Sequence, residues 1–211
     1  MVTYTLIALN VIIYLWDRNG ALLGPSVVFS DLTMKPRDVV AAVTGHGDWK
    51  AMTTLFTSLF LHGNLTHLIG NLIFLLTFGE NVEAAMGPAR YTVMYLFWGL
   101  FASVAHVLVL ASSGVPTLGA SGAIGGVLGA YFLLFPANRI TLIVFPFLFW
   151  PVEVAAWILL SLWFLWQIIF PQQGVANWAH AGGFLAGMLT VIIAGGPQRL
   201  LRGKQFSFDH D

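Results

Sequence analysis

The segment GASGAIGGVLGAY (119–131) decides the fold, because it sets one serine among glycines at the start of an apolar run. Its glycines recur four residues apart, as Gly122-xxx-Gly126 and Gly125-xxx-Gly129. Residues with this spacing share one helix face and let two helices approach closely in lipid. The G-x-S-G motif also suggests a nucleophile, but by itself it is more typical of helix packing.

Composition places this segment in a membrane protein. The chain of 211 residues is 58% hydrophobic and 9% charged, whereas soluble domains carry about 25% charged residues. Charge-free windows at 51–79, 91–138 and 154–198 hold one, two and two spans of about 20 residues, and the N-terminal run adds one. The zero net charge gives no indication of nucleic-acid binding, and the lack of cysteine excludes disulfides and thiolate chemistry.

The fold class predicted is therefore all-α, a polytopic bundle of six transmembrane helices in one domain, 1–211. The spans are expected at about 2–16, 58–78, 91–112, 118–135, 152–170 and 176–194. We expect a long outer first loop at 17–50 with a short interfacial helix, a polar turn starting at GENVEAAMG (79–87), and a polar tail at 195–211. Pro146 and Pro151 predict an irregular or re-entrant start to span 5.

The basic residues predict the orientation. With the N-terminus inside, the short outer loops 113–117 and 171–175 hold no lysine or arginine, although the long loop 17–50 holds four. The inner segments hold Arg90, Arg139, Arg199, Arg202 and Lys204. The positive-inside rule then places both termini in the cytoplasm.

Intramembrane polar residues are costly and usually functional or paired. His67 and Asn71 lie early in span 2, Ser121 early in span 4 and His180 early in span 6. Even-numbered spans run in the same direction, so these groups lie roughly 5–15 Å below one surface at a rise of about 1.5 Å per residue. The sequence therefore predicts one site built from three helices.

Chemistry assigns a role to each group. Serine needs a base, which His180 can supply if small residues let the helices meet. The supporting glycines predicted for this site and contact are Gly119, Gly122, Gly126, Gly183 and Gly187. The oxyanion donors expected are the Ser121 backbone N–H, the Asn71 amide and His67. Glu153 is the only acid expected well inside a span, so we predict a dyad without an orienting carboxylate.

The remaining polar residues lie outside this predicted site. His62 is interpreted as a hydrogen-bonding support, while His106 and Glu153 have no assigned role. The tryptophans of span 5 are interpreted as lipid-facing or interface anchors. His62, His67 and His180 are the histidines that a metal site here would use, but no carboxylate or cysteine completes the set, so neither a metal nor a cofactor is predicted.

The chain resembles the rhomboid family of intramembrane serine proteases over nearly its whole length. The matching motifs are FLHGNLTHLIGN (60–71), GENVEAAMG (79–87), GASGAIGGVLGAY (119–131) and AHAGGFLAG (179–187). The resemblance implies six core helices, Ser121 as nucleophile and His180 as base. It also implies an oxyanion site of Asn71, His67 and the Ser121 amide, a cavity open to the outer face, and span 5 as a lateral gate.

Two positions depart from the family pattern. Some members carry an aromatic residue one turn after the serine, packed on the histidine, and here that residue is Gly125. Many have a Trp-Arg pair in the first loop, for which the nearest candidate is Trp49-Lys50. Neither difference removes a group of the predicted site.

The function predicted is cleavage of membrane-anchored proteins, near the outer face of a cell (inner) membrane, by a Ser121–His180 dyad. The partners expected are transmembrane substrates and the lipid bilayer, with no nucleic acid; the oligomeric state is left open. One alternative is a catalytically silent rhomboid-like protein that binds membrane clients. A second alternative is a solute transporter or channel lined by Glu153 and the glycines.

Overall fold

The computed structural model describes residues 1–20, 22–23, 30–142, 151–172 and 174–204. Most of these residues are helical, with two 3₁₀ turns at Ser30–Leu32 and Ser58–Phe60. The α-helices are α1 (Val2–Asp17), α2 (Pro36–Val43), α3 (Lys50–Thr57), α4 (Leu65–Met86), α5 (Pro88–Val109), α6 (Ser121–Leu134), α7 (Ala156–Ile169), α8 (Asn177–Ile193) and α9 (Pro197–Leu200). The strands β1 (Arg139–Leu142) and β2 (Val152–Ala155) form one antiparallel hairpin.

Two helices, α4 and α5, are long and apolar enough to cross a bilayer by themselves. The other apolar helices, α1, α6, α7 and α8, have 14 to 17 residues. Helix α6 has 14 residues and is about 21 Å long, less than the roughly 30 Å of the hydrocarbon core. Its residues 122–131 are all buried, so α6 is shielded by protein rather than by lipid. The architecture fits an all-α membrane protein.

Helices α6 and α8 pack in parallel with their backbones in contact. Going down the pair, Gly122 lies against Gly183, and Gly126 lies against Gly187. A Cβ on either α8 glycine would overlap the carbonyl oxygen of its α6 partner. The structure therefore brings together the two glycine faces that we expected to meet.

Helix α5 packs antiparallel against the same pair. Ala102 lies against Gly122, and the Trp98 ring lies against Gly126. The Trp98 indole Nε1 donates a hydrogen bond of 2.9 Å to Thr190 Oγ1 on α8. Helix α5 therefore holds α6 and α8 together from the side.

Helix α4 corrects the predicted second span, 58–78. It begins seven residues later because Asn64 caps it, with Oδ1 accepting a 2.8 Å hydrogen bond from the His67 backbone N–H. It continues through the segment predicted as a polar turn and ends before Gly87, whose φ is +83°. Buried Glu83 is accommodated in the last turns because the Val2 and Thr3 N–H groups at the start of α1 donate to its carboxylate at 2.7 and 2.8 Å.

The other predicted span boundaries lie closer to the observed helices. Helix α5 begins three residues before the predicted start at 91, with Pro88 at its first position, and ends three residues before 112. Helices α1, α6 and α8 match the expected 2–16, 118–135 and 176–194 to within three residues.

The start of span 5 is a second correction. The expected span 152–170 begins as strand β2, which pairs with β1 in the register Arg139↔Ala155 and Leu142↔Val152. Glu153 is therefore exposed in a hairpin, where it forms a 3.4 Å ion pair with Arg139, and does not lie inside a span. The helical part starts at Ala156. Pro146 lies outside the described residues.

The two polar segments contact the bundle. In 17–50, α2 occupies the position expected for a short helix, and Trp49 is exposed just before α3. In the tail, the Lys204 Nζ donates hydrogen bonds of 2.8 and 2.6 Å to the carbonyls of Ala84 and Ala85. These bonds satisfy carbonyls near the C-terminal end of α4.

Candidate active site

Three helix N-termini open on one cavity of about 920 Å³. Ser121 is the first residue of α6, His180 lies in the first turn of α8, and His67 and Asn71 lie in the first two turns of α4. All four side chains line the cavity. The groups predicted to share one depth therefore also share one space.

Ser121 and His180 are in hydrogen-bond contact. The Ser121 Oγ lies 2.7 Å from His180 Nε2, and both residues are partly buried. This distance lies within the range required between a nucleophile and its base. In the described part of the chain, no carboxylate is hydrogen-bonded to His180, and its Nδ1 lies 2.8 Å from Gln167 Oε1.

Asn71 has a free donor beside the dyad. Its side chain is buried, and its Nδ2 makes no hydrogen bond to any described residue. A buried amide donor without a partner is unusual in proteins. This N–H is therefore free to bind an oxygen that enters the cavity.

His67 approaches the serine across Gly119. A Cβ on Gly119 would lie 2.7 Å from His67 Nε2 and 3.6 Å from Ser121 Oγ. The φ of Gly119 is +124°, a value that side chains disfavour. Gly119 thus supports the site differently from the four glycines between α6 and α8: it allows the turn and leaves room for the imidazole.

The other histidines lie at the edge of the site. His62 is buried, and its ring centroid lies 5.2 Å from that of His67 in an edge-on contact. His106 lines the cavity, with its Nε2 3.3 Å from Thr117 Oγ1. Within the described residues, the His, Asp and Glu side chains form no group of three or more that could hold a metal ion.

Sequence reasoning missed Gln167 on α7. Its Oε1 contacts His180 Nδ1 at 2.8 Å and accepts a 3.0 Å hydrogen bond from Asn177 Nδ2. Gln167 is the only amide in the apolar helix AWILLSLWFLWQII, and the cost of burying an amide there was the available signal.

Trp163 was placed wrongly, as a residue facing lipid or the interface. Its ring lies 5.8 Å from the His180 ring with 30° between the planes, and it lines the cavity. The aromatic contact that Gly125 lacks is therefore made from α7. Trp166, one turn away, is half exposed, as predicted.

The arrangement can carry out nucleophilic acyl transfer. It presents a hydroxyl bonded to an imidazole, a free amide N–H, and the N-terminus of α6, whose first N–H groups have no acceptor within the helix. The positive ends of three helix dipoles also favour negative charge there.

Comparison with known proteins identifies the family. The Rhomboid domain model matches residues 50–197. RHOMBOID-like protein 4 from Arabidopsis thaliana is 33% identical over 182 residues, which is 83% of this chain and 41% of that protein. The Rhomboid protease GluP from Bacillus subtilis is 28% identical over 204 residues, which is 96% of this chain and 36% of that protein.

The relatives extend beyond the matched region and differ in activity. The chain spans about two fifths of the length of the two relatives just named, 41% and 36%. A third relative, from Arabidopsis thaliana, is 34% identical over 88 residues (39% of this chain, 24% of that protein) and is named Inactive RHOMBOID-like protein 8. Because the family model covers most of the chain and similarity continues on both sides of it, the chain belongs to the rhomboid family of integral membrane proteins.

Proposed function

We propose that this protein is an intramembrane serine endopeptidase that cleaves transmembrane segments of membrane-anchored proteins. The observation that carries the proposal is the 2.7 Å contact between Ser121 Oγ and His180 Nε2 at the wall of a cavity. A relative named a rhomboid protease, similar over 96% of this chain, supports the same activity.

The reaction proceeds in two acyl-transfer steps. Ser121 Oγ attacks the carbonyl carbon of the scissile bond while His180 Nε2 takes the hydroxyl proton. The resulting imidazolium returns that proton to the leaving amine as the C–N bond breaks, which leaves an acyl-serine ester. Water then attacks the ester with His180 again as base, releasing the new carboxylate and restoring the hydroxyl.

The oxyanion formed in each step needs donors that are already in place. Asn71 Nδ2 supplies one, the Ser121 backbone N–H a second, and the His67 ring a third. Loss of one such donor costs about 10²–10³ in kcat in a serine protease. No metal or cofactor takes part in this mechanism.

The proposed topology has six spans, α1, α4, α5, α6, α7 and α8, in one domain covering 1–211. The basic residues between and after these helices support termini in the cytoplasm and a site facing the outer side of a cell membrane. Arg90 and Arg139 follow the C-terminal ends of α4 and α6, opposite the end of these helices that carries the site. A substrate helix must unwind at the site, because a helical peptide bond is sterically shielded.

The experiment is cleavage of a transmembrane reporter in proteoliposomes. We expect wild type to cleave, and Ser121→Ala and His180→Ala to lose activity by at least about 10³-fold. A small fluorophosphonate should label wild type and leave Ser121→Ala unlabelled. Ser161→Ala on α7 and His46→Ala on a surface turn serve as matched controls that keep full activity.

Asn71→Ala tests the oxyanion assignment in the same assay. We expect a 10²–10³-fold lower kcat with little change in KM. The control is Asn138→Ala, an amide that binds Tyr131 Oη at the other end of α6.

If the wild-type protein neither cleaves several reporters nor reacts with the fluorophosphonate, the proposed protease activity is refuted. Retention of a membrane client by both wild type and Ser121→Ala would then support the alternative of a catalytically silent, client-binding protein. One relative is named as inactive.

A further inference from the structure

We infer that α7 holds the general base from two sides: Gln167 and Trp163 are positioning residues for His180, and moving α7 away from α8 disables the dyad. The inference rests on the proposed function. The two residues are four apart, so they lie on one face of α7.

A chain of hydrogen bonds sets the tautomer of His180. It begins at the backbone N–H of Gln172, which can only donate, and which binds Asn177 Oδ1 at 3.1 Å. The Asn177 Nδ2 therefore faces Gln167 Oε1 at 3.0 Å, and this oxygen, which can only accept, faces His180 Nδ1 at 2.8 Å.

The proton of a neutral His180 consequently lies on Nδ1. Its Nε2 has the lone pair and accepts the Ser121 hydroxyl at 2.7 Å, which is the direction that base catalysis requires. Gln167 thus takes the orienting position that a carboxylate holds in a three-residue triad.

Trp163 restrains the His180 ring in a second way, through contact with the ring itself rather than through a hydrogen bond at Nδ1. Its ring centroid lies 5.8 Å from that of the imidazole, with the two planes tilted by 30°. An aromatic residue on α6 could not do this, because a Cβ at Gly125 would lie 2.7 Å from the His180 carbonyl oxygen. Close approach of α6 and α8 therefore excludes an α6 aromatic, and α7 supplies one.

Helix α7 contacts α8 through side chains, such as the Phe164–Phe184 ring contact at 4.8 Å. Its buried residues are Ala156, Leu160 and Gln167. A substrate helix that displaces α7 would break both His180 contacts and leave the α6–α8 backbone contact intact. The base then regains its orientation only when α7 returns, so entry and acylation are separate events.

The test compares Gln167→Leu, Gln167→Glu and Trp163→Leu with wild type, and uses Trp166→Leu as the control on the exposed face of the same helix. Two rates are measured in proteoliposomes: reporter cleavage, and labelling of Ser121 by a small fluorophosphonate that enters from water. A residue that only gates lateral entry would change cleavage but leave labelling unchanged.

We expect Gln167→Leu and Trp163→Leu to lower kcat and the labelling rate together, by at least tenfold, with KM unchanged. Gln167→Glu keeps an acceptor oxygen and should stay within about threefold of wild type, as should Trp166→Leu. The ¹⁵N spectrum of His180 should show Nδ1 protonated in wild type and a mixture of tautomers in Gln167→Leu, which tests the inference without an activity assay.

The outcomes separate the two proposals. If Gln167→Leu is labelled at the wild-type rate and its ¹⁵N spectrum is unchanged, while Ser121→Ala is inactive, the inference about α7 is wrong. The proposed protease activity is then unaffected. A wild-type protein that neither cleaves nor labels would overturn the protease and the inference with it.

Discussion

Helix α8 has two neighbours that hold it in opposite ways. Against α6 it lies backbone to backbone, with glycine facing glycine at two successive levels. Against α7 it meets bulky side chains, where the Phe164 and Trp163 rings reach Phe184 and His180. Helix α6 is buried along 122–131, whereas much of α7 is exposed.

The difference separates two requirements of the site. The α6–α8 contact sets where the serine and histidine backbones lie, and at its two glycine pairs there are no side chains through which to adjust. The α7–α8 contact sets how the imidazole is turned, and side-chain contacts can part and re-form. Position is thus held by the stiff interface and orientation by the adaptable one. Three substitutions test this contrast.

The largest effect is expected from Gly187→Ala. The added Cβ would overlap the Gly126 carbonyl oxygen, which cannot move without moving α6. We expect loss of cleavage and destabilisation of about 3 kcal/mol, the upper end for overpacking, seen as a lower unfolding temperature in detergent. The control is Gly70→Ala on α4, where a Cβ has no neighbour within 4 Å. An unfolding temperature equal to wild type would contradict backbone contact between α6 and α8.

Next comes Gly125→Phe, which restores the aromatic residue of some family members. Its Cβ would press on the His180 carbonyl and displace the base, and a shift of about 1 Å can cost 10²-fold in rate. We expect a fall in kcat of that size, measured in the reporter assay, and a smaller fall for Gly125→Ala. Wild-type activity in Gly125→Phe would show that this interface adapts.

The smallest effect is expected from Phe164→Leu in the α7–α8 interface. It removes a stacked ring pair with Phe184, worth about 0.5–1.5 kcal/mol, and leaves a large apolar side chain. We expect a small drop in unfolding temperature and less than a threefold change in kcat. A loss as large as that of Gly187→Ala would show that α7 is as rigidly held as α6.

The sequence indicated much of this arrangement because its strongest signals are local. Runs of apolar residues predicted the apolar helices, and helix direction predicted that Ser121, His180 and Asn71 lie at one end. Glycines four apart predicted which faces of α6 and α8 meet. Each of these inferences needs only helix geometry and the cost of polar groups in lipid.

What the sequence did not indicate depends on rotation and on distant partners. Helix α7 is apolar on all sides, so no pattern shows that Trp163 faces the site while Trp166 faces out. The polar segment around Glu83 suggested that the helix ends before it, but α4 continues past Glu83. The Glu83 carboxylate is satisfied by the N-terminus of α1, some 80 residues away. The hairpin preceding α7 was missed because its strands are short and its Glu153 lies near an apolar run.

Helix α5 is level with Gly122 at Ala102 and continues to Val109, about 10 Å higher along its axis. The serine therefore lies beneath a rim rather than at a surface. The cavity is lined at that level by His106 and Leu110. Under the proposed function, we expect a single extended strand to pass this rim and a folded domain to be held above it. The depth of the serine would then select substrates by whether a segment is extended or folded, before any side chain is recognised. We therefore expect the loops of stably folded proteins to remain uncleaved, whatever their sequence.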